Sequence, residues 1–328
     1  MLRYFIKRIL YMIPTLFGMS IIAFVIIQLP PGDYLTAVIA AMQDAGQVAN
    51  ETEIARLRAA YGLDDPVYIQ YFKWIGGILF RGDFGWSFEW NRPVADLIWD
   101  RMGPTLSISI LSLLFVWAVS LPIGIYSAVR RHSIGDHVFT LLGFIGLAIP
   151  NFILALTLMY LTYRYLGQSV GGLYSPEYVN APWSWDKFLD MLAHLWIPVV
   201  VIGTAGTAAL IRILRANLTD ELSKPYVLTA RAKGLPEYKV VLKYPVRIAL
   251  NPFVSAIGWV LPELISGITI TAIVLNLPAA GPLLLQALVS QDMYLAGSFI
   301  LLLGALTLIG MLISDLLLAL LDPRIRFN

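Results

Sequence analysis

The chain contains no cysteine. That excludes disulfides, thiolate metal sites and cysteine nucleophiles, and it leaves the redox compartment open. Charge is also scarce. Lys, Arg, Asp and Glu make up 13% of the 328 residues, against about 25% in a soluble domain. The three histidines, His132, His137 and His194, are too few and too scattered for a histidine-based metal site. No GxxxxGKS/T phosphate loop, HExxH, GxSxG or CxxC is present, so any ATP hydrolysis belongs to another chain. A net charge of +2 leaves no nucleic-acid footprint.

What the chain has in quantity is apolar sequence: 58% hydrophobic residues and a mean hydropathy of +0.74. This composition marks an all-α integral membrane protein. Runs near 9–29, 106–129, 138–163, 195–213, 252–275 and 296–321 approach the ~20 residues that cross ~30 Å of hydrocarbon. The first is too long for the core of a cleavable leader, and Gln28-Leu29-Pro30-Pro31 is a poor cleavage site, so it reads as a retained anchor. Pro150-Asn151 predicts a kink in the third run.

Between the runs lie polar segments. The segment 31–103 reads as a subdomain outside the bilayer. It has a capping box at Asn50 and Glu53, a helix stop at Gly62, a helix over 67–79 and a short helix near 93–99. Segments 166–194 and 276–295 read as loops rich in turn residues. With the first residues placed inside, the inner segments hold 15 of the 23 Lys and Arg, and the outer ones hold 14 of the 21 acids. The positive-inside rule therefore puts both termini in the cytoplasm.

The most informative stretch is 222–252, within a cytoplasmic loop expected over 215–251. Lys224, Arg231, Lys233, Lys239, Lys243 and Arg247 face only Glu237 as a counter-charge after Glu221. Pro225 suits a first helical turn, Gly234 suits a helix C-terminus, and Pro236 stops continuation. The spacing predicts one short helix over 226–233 and a second over 237–243. A capped, rigid helix outside the bilayer fits docking to a partner, and a basic loop lying on anionic headgroups is the competing reading.

Thr229-Ala230-Arg231-Ala232-Lys233-Gly234-Leu235 resembles the "EAA" loop of ABC importer permeases, in the wording of the peptide/nickel branch. Tyr61-Gly62-Leu63-Asp64-Asp65-Pro66, Gly82-Asp83-Phe84-Gly85 and Asp322-Pro323-Arg324 are similar to other stretches of that branch. The resemblance covers nearly the whole chain. It implies a single permease domain over 1–328, with six transmembrane helices and the type I importer fold. It also implies a bacterial or archaeal cytoplasmic membrane, two ATPase subunits that bind ATP and Mg, a second homologous permease and an extracytoplasmic solute-binding protein. The loop then forms a coupling helix that docks on the ATPase through Tyr226, Leu228, Thr229, Ala230, Arg231, Ala232, Lys233, Gly234 and Leu235. The chain departs from the family pattern at Leu228, where the family carries an acid. It departs again at Ala272, where the branch has an acid, and at Pro278-Ala279, where it has Pro-Gly.

Glu263 sits midway along the fifth run, and an intramembrane carboxylate is a functional candidate by default. With Ser266 and Thr269 it is a candidate for the translocation path; an interhelical hydrogen bond is the alternative. Gly203, Thr204, Gly206 and Thr207 on the fourth run are expected to let helices approach closely. The solute is expected to be an oligopeptide or, from the missing acid at Ala272, a neutral oligosaccharide. An ion-coupled secondary transporter is the alternative class.

Overall fold

The computed structural model describes residues 2–28, 65–167, 170–255 and 269–321. It divides into two units, one made of Ile6–Gly103 with Ala279–Leu306 and one made of Pro104–Pro278 with the two chain ends. Bilayer interiors offer backbone groups no water, so helices dominate. Among the described residues, four helices are long and apolar enough to cross: Phe5–Ile26, Val94–Val129, Trp185–Leu222 and Met293–Leu320. A bent pair, Ile134–Ala148 with Asn151–Leu166, supplies a fifth crossing if it is one span. Most of the fifth expected span, including Glu263 and Ser266, lies outside the described residues, as does the capping box at Asn50 and Glu53.

In the first unit, α1 (Leu2–Gln28) packs against α2 (Val67–Arg81) through Phe24, Tyr71 and Trp74. The Phe24 and Trp74 rings stack at 5.8 Å, and Ser20 and Tyr71 share a hydrogen bond of 2.8 Å. A short antiparallel pair, β1 (Trp86–Ser87) and β2 (Arg92–Pro93), departs from the all-α expectation. Asn91 closes its turn at φ 47°. Fully buried Asp292 fastens this hairpin, accepting a 2.5 Å bond from the Ser87 hydroxyl and a bond from the Leu295 amide.

The helix expected over 93–99 and the second span are one helix, α3 (Val94–Val129), which continues through Pro104. A proline inside a helix costs about 3 kcal/mol. Burial of Leu97, Ile98, Met102 and Ile108 on either side offsets it. The segment 276–295 is likewise not all loop: the helix Ala280–Val289 occupies ten of its residues, with Pro282 tolerated in the first turn.

The second unit holds α4 (Ile134–Ala148), α5 (Asn151–Leu166) and α6 (Trp185–Leu222). The expected kink at Pro150 is a full break: α4 and α5 meet at 100°. The ring disfavours helical geometry at the preceding residue, and Ile149 is extended at ψ 120°. The fourth span is longer than expected. Its 38 residues, with Ser184 capping the start, make a rod of about 57 Å at ~1.5 Å per residue. Gly203 gives α3 room, since a Cβ there would meet the Phe115 ring, and Gly146 admits Thr204, whose methyl lies 2.7 Å from where a Cβ would be. These small residues serve close packing, as expected.

Helices α7 (Pro225–Ala232), α8 (Glu237–Lys243) and α9 (Pro245–Ala249) follow. After them come α10 (Thr269–Val274), α11 (Ala280–Val289) and α12 (Met293–Leu321). One polar clamp holds α4 to α6. Asp136, 1% exposed, receives two bonds from the Arg215 guanidinium, at 2.9 and 2.8 Å, and a third from the His132 amide. Arg215 is about one-third exposed, so it reaches water and Asp136 does not.

Removing one partner of a buried pair costs several kcal/mol, chiefly by stranding the other. Arg215→Met strands the buried acid, whereas Asp136→Ala frees a cation that water can solvate. Thermal unfolding of the purified protein should therefore fall further for Arg215→Met, by about 2–3 kcal/mol, than for Asp136→Ala. An equal or reversed order would show that the clamp does not act this way.

Candidate functional site

The polar island folds as a mounted helix. Helix α6 ends at Ser223, whose hydroxyl donates to the Asp220 carbonyl at 2.7 Å. Pro225 then opens α7 at the position where a missing N–H is tolerated. The Tyr226 hydroxyl donates to Glu221 at 2.5 Å, tying α7 back to the end of α6. Burial, and behind it the Glu221 carboxylate, push that phenol above its ordinary value, so it stays a donor.

The inner face of α7 is small and apolar. Val227 is fully buried and Ala230 is 6% exposed. The i, i+3 spacing puts both on one side of the helix, where they pack on Val240 of α8, flanked by Leu235 and Tyr244. Lys233 caps the helix, and Gly234 turns the chain at φ 73°, a conformation that favours glycine. The Gly234 amide donates to the Arg231 carbonyl at 2.9 Å. Across this turn Arg231 grips Glu237 with two bonds, 2.6 and 3.1 Å long. The hydrogen bond from Arg231 is the main cause holding the Glu237 carboxyl below its ordinary value.

The mount continues inward. Val241 of α8 and Val246 and Ala249 of α9 join a core with Leu210, Leu214 and Leu218 of α6 and Val116 of α3. A contiguous packed route thus runs from α7 through α8 and α9 to the two long helices. Packing at interior density transmits displacement rather than absorbing it.

Among the described residues, nothing covers the outer face of α7. Tyr226, Leu228, Thr229, Arg231, Ala232, Lys233 and Gly234 are all exposed, Leu228 at 57%. An exposed leucine flanked by Arg231 and Lys233 is a surface suited to a protein cleft. Of the expected coupling residues, Ala230 and Leu235 belong to the mount and not to this face. Val227, Val240 and Tyr244 went unnoticed in the sequence as supports. The i, i+3 pair Val227 and Ala230 was the signal for them.

Of the path candidates, only Thr269 is described, half-buried at the start of α10. Ala272 is 1% exposed, and its carbonyl accepts the Leu277 amide at 2.8 Å. Side chains at this position point into the protein. Of the tryptophans in segments 31–103 and 166–194, Trp74 is a core residue, while Trp99, Trp183 and Trp185 are about 70% exposed.

Comparison with known proteins covers both halves of the chain. Residues 120–327 match the family described as binding-protein-dependent transport system inner membrane component. Residues 1–109 match the N-terminal family of the same transport-system membrane components. The oligopeptide transport system permease protein AppB of Bacillus subtilis is 36% identical over 331 residues, spanning all of both chains. The glutathione transport system permease protein GsiC of Escherichia coli K12 is 34% identical, again over the full length of both. The dipeptide transport system permease protein DppB of Escherichia coli K12 is 30% identical, with 99% of each chain covered.

Two outcomes follow from the mount. Val227→Ala removes two methyl groups from a fully buried site and should loosen α7 by about 1–2 kcal/mol. Amide hydrogen exchange over 226–233 should speed up while α6 stays protected. The second concerns pH. Because the folded-state value of Glu237 is depressed, its contribution is complete above the ordinary carboxyl value and is lost as pH falls below it. Exchange-rate-corrected protection at 231–236 should weaken below about pH 4.5, and Glu237→Gln should abolish that pH dependence.

Proposed function

The chain belongs to the family of binding-protein-dependent transport system inner membrane components, and on that basis we propose that it is a permease subunit of an ATP-driven importer of peptides. It spans the membrane six times, with α7 on the cytoplasmic side and the segment 31–103 outside. The observation that carries this reading is the mounted helix α7. Among the described residues nothing covers its Leu228 face, its Val227 face is anchored, and the anchor runs through packed side chains to α3 and α6.

The partners are two cytoplasmic ATPases that bind ATP and Mg, a second homologous permease and an extracytoplasmic solute-binding protein. Closure of the ATPases displaces α7, α8 carries the displacement to the long helices, and the path opens toward the binding protein. Solute enters, and hydrolysis restores the inward-facing state. The broken α4–α5 pair, fastened to α6 by Asp136 and Arg215, moves with α6.

Peptide as the solute class is supported by the relatives, whose names specify oligopeptide, dipeptide and glutathione transport. The missing acid at Ala272 weighs little against it. A carboxylate at a position 1% exposed would be buried in the protein and not offered to a solute. Oligosaccharide is therefore the weaker assignment. Glu263 and Ser266 remain path candidates together with Thr269.

Leu228→Lys, which removes the apolar anchor without restoring the acid of the family pattern, tests the coupling role. Losing a docked apolar anchor costs about 2 kcal/mol or more, roughly a thirtyfold loss of association. Peptide uptake by membrane vesicles should collapse and the ATPase should no longer copurify, while the permease still inserts at normal levels. Uptake at the wild-type rate would overturn the coupling role. Uptake that survives ATP depletion would favour an ion-coupled carrier instead.

A further inference from the structure

Arg212 carries a charge that the transport cycle above does not use. It lies one turn before Arg215 on α6. Arg215 commits its guanidinium to Asp136. Arg212 is exposed, and among the described residues it makes no hydrogen bond or ion pair. Local sequence offers it no acid. Asp136 is the one carboxylate between Arg130 and Leu147, and α6 has none from Met191 to Thr219. An unpaired cation in a membrane span is costly and marks a site.

A groove of about 240 Å³ adjoins it. Its walls are Phe139, Phe144 and Leu147 of α4 with Ala208 and Ile211 of α6. Two contacts fix the register of these helices. Asp136 meets Arg215 at one end, and further along Ala208 lies 3.5 Å from where a Cβ on Gly143 would be. Arg212 therefore stands level with Thr140, whose hydroxyl makes no hydrogen bond among the described residues. Leu147 is seven residues, about 10 Å, deeper along α4. The mouth of the groove is cationic and bears a hydroxyl, and the far end is apolar. That polarity matches an amphiphile with an anionic head.

The rest of the chain narrows what can cover the groove. Leu210 and Leu214 pack with Val116 of α3 and with Phe253. Each is two residues from Arg212, about 200° around the helix. The fifth expected span continues from Phe253, so it starts on the opposite flank of α6. The segment 31–103, placed outside above, is on the other side of the membrane. A homologous permease obeys the same positive-inside rule. It would bring further Lys and Arg to this boundary, and like charge repels Arg212. The cytoplasmic leaflet brings anionic phosphate, and basic pockets between spans on that side suit such headgroups.

We propose that the groove between α4 and α6 binds an anionic phospholipid of the cytoplasmic leaflet. The headgroup phosphate sits on Arg212 and Thr140, and an acyl chain runs along Phe144 and Leu147. The choice of leaflet rests on the orientation proposed above; the site does not depend on the solute or on ATPase docking.

The test reads covalent labelling rather than uptake, so it is separate from the test of coupling. The assembled transporter is placed in phosphatidylcholine nanodiscs doped with a diazirine-tailed probe, either phosphatidylglycerol or phosphatidylcholine, at equal mole fraction. On irradiation, residues 139–147 should be labelled at least about threefold more by the phosphatidylglycerol probe. Arg212→Gln should bring the two probes to parity, and Arg212→Lys should keep most of the preference. Arg131→Gln, at the nearby turn, should leave it unchanged. Equal labelling of the unsubstituted chain by both probes would show plain hydrocarbon contact. Labelling by neither would show a protein cover, and either result overturns the proposal. So would a preference that survives Arg212→Gln, since the headgroup would then be held elsewhere. Should Arg212→Gln fail to assemble, competition on the unsubstituted chain decides. Unlabelled phosphatidylglycerol should displace its probe and added phosphatidylcholine should not; equal displacement by both would overturn the proposal.

Discussion

The contact on which the account depends is a small one: Val227 and Ala230 of α7 against Val240 of α8. It is apolar, closely packed and lies outside the expected spans. Without it α7 would be a short helix with nothing to hold it. Isolated helices of eight residues do not persist in water. With it, the outer face gains a defined direction relative to the long helices, because α8 itself is set into their core through Val241. The polar bonds around it, Tyr226 to Glu221 and Arg231 to Glu237, are exposed and individually worth little. They set angles more than they hold the helix in place.

A second level of organisation lies in the long helices. Glycines let α6 approach α3 and α4 closely, and in a bilayer such approach supplies the van der Waals contact that water-driven burial does not. The Asp136–Arg215 clamp adds a strong polar tie beside the turn between α3 and α4. The break at Pro150 turns the chain by 100° between α4 and α5, and both helices pack against α6.

How much was visible in the sequence depended on whether the deciding signal was local. Pro225, Gly234 and Pro236 act on their own backbone, and the two helices they bound appear where the sequence places them. Pro104 is equally local, yet α3 runs through it, because Leu97, Ile98, Met102 and Ile108 are buried on either side, and burial is not read from a local signal. The helix Ala280–Val289 was hidden by the Pro and Gly that open it. Family membership was readable from the motif 229–235, and it holds across both halves of the chain. Whether Ala230 touches a partner or supports the helix was not readable, because that is set by Val240 ten residues away. The meaning of Ala272 likewise depended on burial, which spacing alone does not give.

The central claim is that the bare face of α7 meets an ATPase on the cytoplasmic side. Ala232→Cys, exposed on that face of a chain with no other thiol, tests both parts at once. In inside-out vesicles a short maleimide–diazirine reagent on this thiol should join the permease to the ATPase chain on irradiation, and in intact cells a membrane-impermeant maleimide should leave the thiol unlabelled. Labelling from outside the cell, or a thiol in inside-out vesicles that reacts freely without ever joining an ATPase, would contradict the account.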